Sequence, residues 1–155
     1  MRFSFSLYSS SECAMLPPNP RLRRMIMTKK IALIDDSGPF RLMVQQLLEL
    51  RQYEVTPFES AEQFFGAHQR VNLTRFDLII VDINLPGMDG LSVLENLKTD
   101  PVSSPIPVLM VTGDPKKTKI RHAVQFGVSD FIGKPIDPSQ FCERVERLLE
   151  TPLSE

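Results

Sequence analysis

Three uninterrupted apolar tetrads, Ile31-Ala32-Leu33-Ile34, Leu78-Ile79-Ile80-Val81 and Val108-Leu109-Met110-Val111, most narrow the folds open to this chain. Four residues are too few for a buried helix, and a strand that is apolar at every position needs cover on both faces. The tetrads run directly into polar residues: Asp35, Asp82 and Thr112. Two weaker strand candidates, Val55 to Phe58 and Val128 to Ile132, bring the set to five. Pro107 stands at the entrance of the fourth, where a missing N–H is tolerated.

Helical patterns separate the strands. Ser37 reads as an N-cap with Pro39 in the first turn, followed by Phe40, Met43, Val44, Leu47 and Leu48 at helical spacing. Ser60-Ala61-Glu62-Gln63 is a capping-box pattern ahead of Phe64 and Phe65. After the turn-forming loop Pro86 to Gly90 come Leu91, Leu94 and Leu97. Asp114-Pro115 is expected to cap a fourth helix carrying Ile120, Ala123 and Val124, which Gly127 can end. Asp137 opens a fifth, with Phe141, Val145, Leu148 and Leu149 on one face. Strands alternating with helices imply an α/β fold with a parallel sheet covered on both faces, and neither an internal repeat nor a second domain is expected.

The 155 residues fit one domain, at 42% hydrophobic and 24% charged, so a core can form without staples. Cys13 and Cys142 have no ligand spacing and read as unpaired thiols in a reducing compartment. The net charge of −1 is uneven: the first thirty residues hold six Lys/Arg against one Glu, the remainder twelve against eighteen Asp/Glu. An acidic body argues against nucleic acid as a direct ligand, and the apolar runs are too short for a membrane span. Residues 1–28, rich in Ser and Pro, read as a disordered tail or an extension upstream of the true start; Met25 and Met27 each precede the first strand. Serines interrupt the apolar stretch after Arg2, and no cleavage site follows, which speaks against a secretion signal. The folded part is expected over 29–151, with a short tail at 152–155 and no output domain after Leu149.

In an open parallel sheet, ligands bind beyond the C-terminal strand ends. There this chain carries Asp35 and Asp36, Asp82, Thr112 with Gly113, and Lys134-Pro135. Crowded carboxylates repel unless a cation neutralises them, and oxygen ligands of this kind suit Mg²⁺. Lys134 can pair with a carboxylate or a phosphoryl oxygen, and Thr112 offers a hydroxyl. The chemistry suggested is metal-assisted phosphoryl transfer, which rests on positioning and charge neutralisation.

The segments Ile31–Ser37 (IALIDDS), Asp77–Gly90 (DLIIVDINLPGMDG), Pro107–Asp114 (PVLMVTGD) and Asp130–Ile136 (DFIGKPI) together resemble the receiver domains of bacterial two-component systems, of the chemotaxis (CheY-like) response-regulator type. The resemblance runs from about Lys30 to Glu150. It implies a doubly wound, flavodoxin-like five-stranded sheet in the order 2-1-3-4-5. It makes Asp82 the phosphoacceptor. Asp35, Asp36, Asp82 and the backbone carbonyl of Asn84 would bind Mg²⁺ or Mn²⁺, while Thr112 and Lys134 would contact the phosphoryl group. Thr112 and Phe131 would form the switch, with a cis peptide often preceding the proline that matches Pro135. Asn84 and Asp114 would tune the loss of the phosphoryl group to water. Val128, where the family often has alanine, is a modest departure.

The resemblance also implies a cytoplasmic phosphoprotein with no enzymatic turnover beyond its own phosphorylation and dephosphorylation. A histidine kinase or histidine phosphotransfer protein would be the donor, and the phosphorylated chain would signal by binding a downstream target protein or by passing the group on in a phosphorelay. Any self-association is expected through the last two helices and fifth strand. A haloacid-dehalogenase-like phosphatase would want a second Asp where Asn84 stands, and a flavodoxin-like carrier would want a Ser/Thr/Gly-rich loop after the first strand. A binding module that works without phosphorylation commonly loses one of the acidic groups, all present here. His68 and His122 read as ordinary helix histidines, and Lys116, Lys117, Lys119 and Arg121 as a solvated face.

Overall fold

A computed structural model describes Asn19 and residues 27–67, 70–113 and 116–150. Most of the expected N-terminal extension, the 152–155 tail, Cys13, His68 and Asp114 lie outside the described residues. The five expected strands form: β1 (Lys30–Ile34), β2 (Glu54–Phe58), β3 (Leu78–Asp82), β4 (Val108–Thr112) and β5 (Asp130–Gly133). All neighbours pair in parallel, in the order β2-β1-β3-β4-β5. Between them run α1 (Gly38–Glu49), α2 (Ala61–Ala67), α3 (Gly90–Thr99), α4 (Lys117–Gln125) and α5 (Pro138–Glu150). A 3₁₀ segment, Arg70–Arg75, which no periodicity announced, precedes β3.

Alternation along the strands divides the core in two. Ile31, Leu33, Leu78, Ile80, Leu109 and Val111 pack with Val44 and Leu48 of α1 and Phe141, Val145 and Leu149 of α5. Ala32, Ile34, Ile79, Val81, Val108 and Met110 face Phe64 of α2, Val93, Leu94 and Leu97 of α3, and Ala123 of α4. The middle strands β3 and β4 are buried at every position, as their unbroken apolar sequence requires. Pro57 lies in β2, an edge strand, where proline is tolerated. Cys142 is buried on the inner face of α5.

Most caps are those expected. Ser37 Oγ accepts from the Phe40 N–H (3.4 Å), Ser60 Oγ from the Gln63 N–H (3.0 Å) and Asp137 Oδ1 from the Gln140 N–H (3.0 Å). The fourth helix is the exception. It begins at Lys117 behind Lys116, which makes no side-chain cap bond. The weakest strand also moves: β5 starts at Asp130 because the Val128 N–H donates to the Ala123 carbonyl (3.0 Å), closing α4 instead. Gly127 makes that closure with a φ of 85°. A Cβ there would meet nothing within 4 Å, so Gly127→Ala is expected to cost about 1 kcal/mol through the backbone alone. A lower urea midpoint at unchanged slope would show it.

Candidate functional site

Parallel pairing brings the strand ends level. Asp82 lies opposite Val111, and Thr112 opposite Gly133, so the residues just past each strand converge. Carboxylate oxygens of Asp35, Asp36 and Asp82 all lie within 4.8 Å of one another. Asp35 is 1% and Asp82 6% exposed, Thr112 is fully buried, and Asp36 faces solvent. Lys134 joins the group: its Nζ donates to Asp35 Oδ2 (2.7 Å) and Asp82 Oδ2 (3.1 Å). The ammonium also sits 4.1 Å from the centre of the Phe40 ring. The Lys134 N–H donates to the Thr112 carbonyl (2.7 Å), and the Lys134–Pro135 bond is cis.

Burial dominates the electrostatics. It pushes the Asp35 carboxyl above its usual range, although Lys134 and the Ser37 N–H (2.8 Å to Oδ1) both pull it down. Burial pulls the Lys134 ammonium down, yet its hydrogen bonds and charge attraction to Asp35 and Asp82 outweigh this, leaving it raised. The two partners thus shift in the same direction. Asp35 is the more deeply buried and shares its lysine with Asp82, so desolvation wins at the acid and pairing wins at the base.

The loop after Asp82 is fixed from three sides. The Asn84 N–H donates to Asp82 Oδ1 (3.0 Å), and the Asn84 side chain spans from Thr112 Oγ1 (3.3 Å) to Lys119 Nζ (2.7 Å). Glu62 of α2 accepts from the Met88 N–H (2.7 Å), a bond that holds its carboxyl below the usual range. Gly87, at a φ of 75°, leaves room for that carboxylate, since a Cβ there would stand 2.5 Å from Glu62 Oε1. Gly90 lies against the Asp82 carbonyl, and a Cβ there would also come within 2.7 Å of Ile83 Cα.

All the expected strand-end residues therefore meet at one place. Ionised carboxylates only accept, and one lysine leaves excess negative charge among the three. That oxygen-only donor set fits a hard divalent cation such as Mg²⁺ or Mn²⁺. Phe131 is half-buried and packs against the core on the α2–α4 side. The space over Gly113 is open, with nothing within 4 Å of where a Cβ would sit. Sequence reasoning missed Arg41, whose Nη1 donates to the Asp35 carbonyl (2.6 Å), and Lys119, read as part of a solvated face but bonded to Asn84. No spacing signal marks the second, because 35 residues separate the partners. His122 is exposed, and no helix among the described residues is long and apolar enough to cross a membrane.

The model of the response regulator receiver domain matches residues 31–146. Chemotaxis protein CheY-3 of Vibrio cholerae is 31% identical over 121 residues, 78% of this chain and 92% of that protein. The phosphate regulon transcriptional regulatory protein PhoB of Pseudomonas aeruginosa is also 31% identical over 121 residues, but only 52% of it is covered. Among solved structures, a CheY-like response regulator receiver domain protein from Methanospirillum hungatei superposes with a TM-score of 0.72 at 25% identity. That alignment covers 80% of this chain and 95% of the other.

Proposed function

The chain belongs to the response regulator receiver domain family, and from that membership we propose that Asp82 is its phosphoacceptor, loaded by a histidine kinase or phosphotransfer protein in a Mg²⁺-dependent reaction. One observation carries the reading: Lys134 reaches both Asp35 and Asp82 from the far end of the sheet, so three separate strand ends share one site whose remaining negative charge a divalent cation would neutralise. Receiver domains are signalling phosphoacceptors and are not generally classed as enzymes.

In the proposed step an Asp82 carboxylate oxygen attacks phosphorus in line. The O–P bond forms as the donor's P–N bond breaks, and its electron pair leaves on the imidazole. Lys134, already on Asp82, offers its ammonium to the incoming phosphoryl oxygens. Thr112, at the end of β4, offers its hydroxyl, and Phe131 responds to the shift of Thr112. Asp35, Asp36, Asp82 and the Asn84 backbone carbonyl would hold the divalent cation, which neutralises charge on the transferring group when bound. Asn84 and Asp114 would set how readily water reaches the acyl phosphate. The altered surface of α4, β5 and α5 would then bind a target protein or a second copy, in a cytoplasmic pathway.

Incubation with radiolabelled acetyl phosphate tests this reading. The wild type is expected to take up label with Mg²⁺ and to lose that uptake in excess EDTA, whereas Asp82→Ala takes up none. Equal labelling of the two proteins would overturn the assignment.

A further inference from the structure

The Asn84 side-chain amide can face its two neighbours in only one sense. The Lys119 ammonium is a donor with no acceptor capacity, so the atom 2.7 Å from it must be the amide oxygen. That leaves the Asn84 NH₂ toward Thr112, where it donates to Oγ1 (3.3 Å). Toward Asn84, the Thr112 hydroxyl therefore acts as an acceptor, and the amide does not compete for its hydrogen. Were the amide reversed, its oxygen would face that hydroxyl and draw its hydrogen toward Asn84. The charge that fixes the orientation comes from the first turn of α4, an element that supplies no side chain to the acidic cluster.

We propose that Lys119 is a positioning residue that sets the orientation of the Asn84 amide, so that the Thr112 hydroxyl can turn its hydrogen to a phosphoryl oxygen on Asp82. The inference rests on the phosphoacceptor reading of Asp82 and adds a regulating contact to it. Lys119 thereby ties the start of α4 to the group that Thr112 reads, and its loss uncouples loading of Asp82 from the response of Phe131.

The test uses the full chain with Mg²⁺ and beryllofluoride, an analogue of the phosphoryl group, comparing wild type, Lys119→Met and Lys119→Arg. Fluorine NMR measures the loaded fraction, and proton–nitrogen spectra follow the Asn84 side-chain amide and the Phe131 backbone amide. Lys119→Met is expected to displace the Asn84 side-chain signals and, per loaded molecule, to cut the switched population seen at Phe131 at least about fivefold. Lys119→Arg, still donor-only, is expected to restore both signals to near wild type. A Lys119→Met protein whose Asn84 and Phe131 signals match wild type would overturn the proposal, as would failure of Lys119→Arg to restore them. A wild type that binds no beryllofluoride would instead overturn the phosphoacceptor reading, and this inference with it.

Discussion

Lys134→Met is expected to lower the stability of the metal-free protein by about 3 kcal/mol, the scale for leaving buried charge without its partner. Methionine keeps an unbranched apolar stem but removes the only ammonium on Asp35 and Asp82 among the described residues, and with it the charge over the Phe40 ring. Those carboxylates are 1% and 6% exposed, and each would retain a single backbone donor, the Ser37 and the Asn84 N–H respectively. They would then repel each other, or one would take up a proton, and either outcome favours the unfolded chain. A cation bound only by the folded state should offset part of the loss, so the variant's stability should depend more steeply on Mg²⁺ than that of wild type. Urea unfolding with and without Mg²⁺ checks both points. A metal-free midpoint equal to that of wild type would show that Lys134 does not balance the acidic pair.

The second large effect concerns Gly90, where bulk meets backbone. Gly90→Ala is expected to destabilise the fold by about 2–3 kcal/mol, the upper range for overpacking. The added methyl would overlap the Asp82 carbonyl and press on Ile83 Cα at 2.7 Å, and neither can swing aside as a side-chain tip can. Relief requires α3 to move away from the end of β3, which also shifts the loop that carries Asn84. Loss of stability and slower labelling of Asp82 by acetyl phosphate should therefore appear together. Gly66→Ala in α2 is the control, since nothing lies within 4 Å of its Cβ; there the better helix former should leave stability equal or slightly higher. Equal midpoints for the two variants would refute the close approach at Gly90.

What could be read from the linear sequence followed from local rules. Unbroken apolar tetrads can satisfy only a strand covered on both sides, and the polar residues that end them must then gather at one edge of the sheet. Asp35, Asp82, Thr112 and Lys134 were legible for that reason. Local signals misplaced the start of β5, because the apolar side chain of Val128 joins the core while its N–H closes the preceding helix. They placed the opening of the fourth helix at Asp114, whereas α4 begins at Lys117. Contacts made by long polar side chains away from the strand ends were not legible. The bond from Met88 to Glu62 and that from Lys119 to Asn84 cross 26 and 35 residues, and their geometry exists only once the helices have docked.

The sheet's borders carry a consequence of their own. A lateral strand offers a ladder of N–H and C=O groups on which another chain can polymerise. Here one border, β2, contains Pro57, which breaks the run of donors, and the other, β5, is only four residues long. Neither makes a good template for cross-β growth, so the most aggregation-prone segments of this chain, β3 and β4, stay shielded in the middle for as long as the molecule is folded.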